Sequence, residues 1–526
     1  MKYPTFAVRL VATGAALLAA IPALAAVPGI LGGTTLGAAP AGPKTFALVA
    51  TEGYSSQPDG ASVYSWGYGC AAAPAGFAPA AMAAIGTCPL MQIPGPTMIV
   101  NEGDTVTVTL TNDLPVAAGN TSIVFSGLQV TATNGVAGVL TQEAAHGGTV
   151  TYSFTATKPG TYAYYSGTQG DLQIEMGLYG AVIVLPAQTA TFANCTGATH
   201  AADAVYRLAD AAYDHPQSCY DREYLFQLAE MESSIHDAAL AQKTTCENLL
   251  AGNPGASCAP IAVNSEPYHP NYFLVNGRSM PDDMDANYAA LLPNQPYNGN
   301  PHMHPHELVL VRVIGQGRIQ HPLHIHGNHA RVLARDGNML LVPNDVNSPL
   351  PGGIARLAGP LIFTFPSVSG ESVDAIFTWT GKGLNWDVYG HNPTSDAANN
   401  VVCIPDGDGY YTINSSPPAP RSAPNYGEWC ADHDKPIPVT PPDPQIVANG
   451  LWYGGTPYLG LTESAAAGFP STPLPPGTAK QNASAGYAFM WHSHDEREIT
   501  TNDVFPGGMM MMLIVDPPAA VIDESK

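Results

Sequence analysis

Along much of the chain, apolar and polar residues alternate one for one. The stretch "DTVTVTLTND" sets Val106, Val108 and Leu110 against Thr105, Thr107 and Thr109, the period-2 mark of a half-buried β-strand. "TVTYSFTATKPGTYAYYSG" repeats the alternation at Val150, Tyr152 and Phe154 and turns at Pro159-Gly160. "GLYGAVIVLP" then ends this unit with a continuous apolar strand. Residues 40–190 therefore read as one β domain. A second β unit, 266–520, opens at "YFLVNGRSMP", continues through "HELVLVRVIG" and "ESVDAIFTWTG", and ends with "AGYAFMWHSH" and "GGMMMMLIVD". Between the units, 191–265 lacks that regularity. "DREYLFQLAE" could be a strand, and "SSIHDAALAQK" predicts a short helix capped by Ser233. A Pro-, Gly- and Asn-rich stretch at about 383–485 is too long for an ordinary loop and reads as an insertion covering one face of the second unit.

Composition narrows the classes. With 526 residues there is length for two large domains or three small ones, and 53 Gly with 49 Pro fit short strands joined by turns. A net charge of −23 with only 19 Lys+Arg opposes nucleic-acid binding, which needs basic surface against phosphates, and docking on anionic lipid. Lys2 and Arg9, the apolar run Leu10 to Ile21 and the site Ala23-Leu24-Ala25 predict a secretory signal over 1–25, and hence a periplasmic or extracellular protein with no membrane span. In an exported chain the 8 cysteines suggest disulfides. Neighbour pairing, Cys70–Cys88, Cys195–Cys219, Cys246–Cys258 and Cys403–Cys430, is the simplest of 105 connectivities.

The concentrated chemistry lies in the second unit. "IQHPLHIHGNH" holds His321, His324, His326 and His329, and "WHSH" holds His492 and His494. On a strand, residues i and i+2 share a face, so two His-x-His strands side by side aim four imidazoles at one point. Neutral imidazole is a ligand for copper, and equally for zinc. A lone His-x-His is more often a pair of core histidines; two in one domain favour metal. "PHMHPHE" adds His302, His304 and His306, as readily a solvated turn as a second metal group. Met509 to Met512 could offer thioethers, although an apolar strand explains the run equally well. Asp495, Glu496 and Glu498 either orient the imidazoles or form a charged loop, while Asp171 and Glu175 read as surface residues.

"HPLHIHG" and "WHSH…GGMM" resemble the copper motifs of multicopper oxidases such as laccases, and "IPGPTMIVNEGDTVTVTLTNDL" and "GTYAYYSGTQGDLQIEMGLYGAVIV" resemble that family's first domain. The resemblance implies two cupredoxin-like, Greek-key β-sandwiches joined by a disulfide-pinned segment with a short helix, an all-β protein with copper as cofactor. It also implies four first-domain histidines where this chain has Val124, Ser126, Tyr165 and Gly167. At the electron-entry copper it implies His321, with Ser493 in the cysteine's place, Glu498 in the second histidine's place and Met509 as the axial ligand. Without the thiolate there is no blue-copper site, and laccase turnover is not expected. Three functions stay open: a copper oxidoreductase with a remodelled histidine-only site acting on O2 or a small molecule, a protein that sequesters or delivers copper, and a structural cupredoxin module. Two-domain relatives are often trimers, so the resemblance further suggests a homotrimer.

Overall fold

The computed structural model describes residues 27–36, 42–187, 195, 207–387, 402–421, 423, 425–433, 435, 455–459 (backbone only), 485–516 and 520–523. The signal sequence expected at 1–25 lies outside them, as does much of the 383–485 stretch. Two β-sandwiches account for most of what is described.

In the first sandwich, a five-stranded sheet runs in the order Ser62–Cys70, Pro43–Ser56, Thr105–Asp113, Thr149–Thr155, Thr131–Thr133. Thr105–Asp113 shows the expected alternation, its valines and Leu110 buried and its threonines turned outward. Facing it is a six-stranded sheet whose centre is Met98–Asn101, Tyr179–Leu185 and Gly160–Tyr165. Trp66, Tyr68, Tyr152 and Tyr164, each fully buried, fill the space between the sheets.

The second sandwich has one sheet ordered Tyr272–Val275, Arg222–Met231, Val309–Gly315, Ser372–Phe377, Ala330–Arg335, Asn338–Met339. The other runs His302–Met303, Met510–Val515, Ala485–Ser493, His321–Ile325, Thr364–Ser367. Between them Trp491 is held edge-to-face by Phe377 and Phe226, with centroids 5.2 and 6.1 Å away. This ring anchors the strand that carries the last histidines.

Arg222–Met231, expected within a connecting segment, is instead a central strand of the second sandwich and pairs in parallel with Val309–Gly315. All ten of its residues are buried. Tyr224, Phe226 and Leu228 face the second core. Leu225 packs with Ile99 and Ile183, and Ala229 and Met231 pack with Ile93 and Tyr179, all from the first sandwich. A strand covered on both faces loses its polar alternation, which is why the pattern gave only a weak strand signal. Polar contacts lock the same seam. Arg312 pairs with Glu223 at 2.9 Å, and Thr161 donates to Asp374 at 2.7 Å.

The helix is longer than expected, Ser233–Gly252, and Glu232 rather than Ser233 is its N-cap. Ile235, Ala239 and Cys246 bury it against the first sandwich, and the Cys246–Cys258 disulfide ties its far end. That packing carries the helix past the point where its own pattern fades. All four neighbouring cysteine pairs are disulfides. In the insertion, Tyr411, Ala419, Ala423 and Tyr426 form a small core beside Cys403–Cys430, and Gly455–Leu459 adds a strand beside Ala485–Ser493. No helix among the described residues is long and apolar enough to cross a membrane.

Candidate metal centre

His324 and His492 sit directly opposite each other on adjacent antiparallel strands, with Leu323 opposite Ser493 and Ile325 opposite Trp491. The odd-numbered partners turn into the core, so the four imidazoles share the outer face. The rings of His324 lie 4.9 Å from His326, 4.8 Å from His494 and 5.7 Å from His492. Nε2 of His326 is 3.2 Å from Nε2 of His492. His492 Nδ1 lies 2.7 Å from the Ser493 carbonyl, to which only its N–H can donate, leaving a lone pair on Nε2. His324 Nδ1 lies 2.8 Å from Thr364 Oγ1. Burial, then the neighbouring imidazoles, pulls His324 down to about 4; burial foremost also lowers His492. Both rings are therefore held neutral, the form that ligates. The row continues one strand further, where Met510 pairs with His492 and shares its face.

His321 points the other way and belongs to a different structure. Its Nε2 is 2.8 Å from Glu230 Oε2 and its Nδ1 is 3.0 Å from Glu498 Oε1, all three side chains being buried. Desolvation would lower its pKa, but Glu230 and Glu498 outweigh it and raise the group to about 9. His321 and Glu498, both expected as ligands, lie against each other and Glu230 as a buried clamp, away from the imidazole row, and the two carboxylates favour the protonated ring. Ser493 Oγ donates to the other oxygen of Glu498 at 2.5 Å. Glu230 also accepts from Tyr268 and from the backbone N–H groups of Arg318 and Ile319. Glu230 escaped the sequence reading because it lies 91 residues from His321, in the strand read as part of the connection.

The remaining candidates scatter. Met509 is buried in the second core with Met511. His302 pairs with Ile514, four positions along the strand from Met510, which puts it roughly 13 Å from the histidine row. His302 Nδ1 contacts Asp516 Oδ2 at 2.6 Å, and His304 is buried near the same residue. His306 stacks 5.0 Å from Tyr410 of the insertion. None of the three joins the four-histidine cluster. Asp495 and Glu496 are exposed beyond the strand end. Glu175, expected at the surface, is buried, accepting from Tyr268 and the Glu232 backbone. A group with three ligand atoms all within 4.8 Å of one another does occur among the described residues, but it is Asp387, Glu428 and His433 of the insertion. No spacing motif joins those three, and the sequence reading missed them.

In the first sandwich, Ser126 Oγ donates to Tyr165 Oη at 3.2 Å. A Cβ added at Gly167 would stand 2.6 Å from Val124 Cγ2, so no larger residue fits there without a shift. These positions are packed and hydrogen-bonded among themselves.

Residues 89–189, the heart of this sandwich, match the family model described as multicopper oxidase. The likeness to multicopper oxidases is carried by that domain, about a fifth of the chain. Multicopper oxidase MCE of Talaromyces pinophilus is 37% identical over 98 residues, 18% of this chain and 15% of that protein. An L-ascorbate oxidase of Brassica rapa subsp. pekinensis is 41% identical over 96 residues, 18% of this chain and 16% of that protein. The chain thus spans less than a fifth of the length of these curated relatives. Among solved structures, multicopper oxidase mgLAC aligns with TM-score 0.44 and 16% identity over 91% of this chain and 88% of its own. A blue copper oxidase from Nitrosomonas europaea aligns with TM-score 0.41 and 15% identity, over 89% and 85%. Copper is the metal this family binds.

Proposed function

We propose that this is an exported, multicopper-oxidase-like protein that holds copper on a histidine-only site built from His324, His326, His492 and His494. The observation that carries the reading is the His326–His492 pair. Two nitrogens each about 2.0–2.1 Å from a tetrahedrally coordinated metal stand about 3.3–3.4 Å apart, close to the 3.2 Å between these Nε2 atoms. His324 and the exposed His494 complete the set by turning their rings toward that pair. Bound copper would supply a redox centre on a face open to O2 or a small molecule. The protein's part is to hold four imidazoles on a rigid sheet and to place the Met510 thioether beside them.

One observation favours a second reading, copper storage or delivery without turnover. Where the family resemblance sets an electron-entry copper, this chain has the Glu230–His321–Glu498 clamp, which offers no redox group. On either reading, copper-loaded protein is pale, without the intense band of a thiolate–copper bond, and oxidises laccase dyes no faster than free copper does. Copper titration is the test. His326→Ala and His492→Ala each weaken binding at least tenfold, whereas Ser493→Ala, on the opposite face, changes it less than twofold. Equal affinity in all three variants would overturn the site. An assembly of several copies, suggested by the family resemblance, is checked by sedimentation of the copper-loaded protein.

A further inference from the structure

A second group of ligating side chains stands apart from the histidine row, on the insertion. Asp387, Glu428 and His433 come from two segments: one follows the Ser372–Phe377 strand, and the other is closed by the Cys403–Cys430 disulfide. One oxygen from each carboxylate and one imidazole nitrogen lie within 4.8 Å of one another. The backbone is fixed around them. Asp387 N–H donates to the Lys435 carbonyl at 2.9 Å, His433 N–H to the Cys430 carbonyl, and Glu428 holds Tyr411 N–H at 3.0 Å through its own carbonyl. Asp432, another carboxylate nearby, accepts from Lys435 Nζ and the Asn385 N–H, each at 3.0 Å.

Beside the group is a small cavity of ≈ 20 Å³ lined by Asp387 and Glu428 together with Trp379, Trp386 and Leu384. That is the room one water molecule needs. Trp386 is 6% exposed, and its indole N–H finds no acceptor among the described residues. An unmet buried donor on a cavity of this size points to an oxygen atom inside it.

We propose that Asp387, Glu428 and His433 form a second metal site that takes a divalent cation of the zinc type, with a metal-bound water in the cavity accepting from Trp386. The donor set is two carboxylates and one imidazole without sulfur, which zinc accepts as three protein ligands plus a water. Two carboxylates brought this close in a buried setting repel one another, and a dication between them turns that repulsion into attraction. The metal ties the disulfide-closed part of the insertion to the sandwich beneath it.

The test uses zinc alone, in the full chain with His326→Ala and His492→Ala already made, so that the pair at the centre of the outer histidine row is gone. Metal-stripped protein of this background binds one equivalent of zinc in calorimetric titration and elemental analysis. Its tryptophan emission shifts with the same stoichiometry, and its melting temperature rises with zinc concentration. Asp387→Asn and Glu428→Gln, near-isosteric changes checked for unchanged metal-free melting, weaken that equivalent at least tenfold and abolish the emission shift. Zinc binding unaltered by either substitution would overturn the proposal. So would a folded background protein whose tryptophan emission and melting ignore zinc, a result that needs no site variant. Neither outcome bears on the copper reading, whose central pair, His326 and His492, is replaced throughout.

Discussion

The two sandwiches differ in what each shares with the multicopper oxidases the chain resembles. The first carries the family's sequence, matched over residues 89–189, yet offers Val124, Ser126, Tyr165 and Gly167 where the resemblance sets histidines. The second lies outside that match and carries the histidine row. Sequence likeness and ligand chemistry have parted between domains of one fold. A sandwich core is specified by alternating apolar residues, and those persist whether or not an outward residue binds metal. The same division appears across a single strand. Trp491 and Ser493 face inward to packing and to the imidazolium clamp, while His492 faces outward to the open row.

The largest effect should come from the clamp. Glu230→Gln leaves His321 and Glu498 buried without their full complement of charge, and breaking such a buried pair costs about 3–5 kcal/mol. Urea unfolding measures it, and a loss under about 1 kcal/mol would mean that the clamp is not an ion pair. Next, Gly167→His, which writes a family ligand back into the first sandwich, should destabilise by about 1–3 kcal/mol, because its Cβ meets Val124 at 2.6 Å. Oxidase activity gained without loss of stability would show that the first sandwich kept its ligand geometry after all.

The clamp also has a pH signature. His321 is raised to about 9 in the folded chain, against an ordinary value near 6.5. The folded state therefore binds the proton more tightly, and its stabilising share is complete below about pH 6.5 and is lost as pH rises through 9. The stability gap between wild type and Glu230→Gln should shrink over that window. A gap that is constant from pH 6 to 10 would mean a neutral His321. The smallest effect distinguishes the two faces of one strand. Ser493→Ala removes a buried donor to Glu498 and should cost about 1–2 kcal/mol in unfolding while changing copper affinity less than twofold.

Much of this was legible beforehand, and for a local reason. The i, i+2 rule put His324 with His326 and His492 with His494, and the structure keeps both pairs on one face. The disulfides followed neighbour order. What failed depended on distant segments. His321 read as a ligand because its motif matched, but Glu230 and Glu498, from two other parts of the chain, lie against it and raise its pKa. The connecting segment read as irregular because its strand is buried on both faces, which erases alternation. The helix outran its pattern because the first sandwich covers it.

The sequence by itself determined the all-β class and the facing of each histidine along its strand, since each follows from side-chain periodicity, while the disulfides found are the neighbour pairs that chain order made simplest. Only the tertiary structure decided which imidazole is pushed toward its protonated form and which toward its neutral one. It alone made Arg222–Met231 the seam between sandwiches and brought Asp387, Glu428 and His433 to one point. Protonation and ligand convergence depend on distances of a few ångströms between segments far apart in sequence, and burial strengthens each such contact by excluding water.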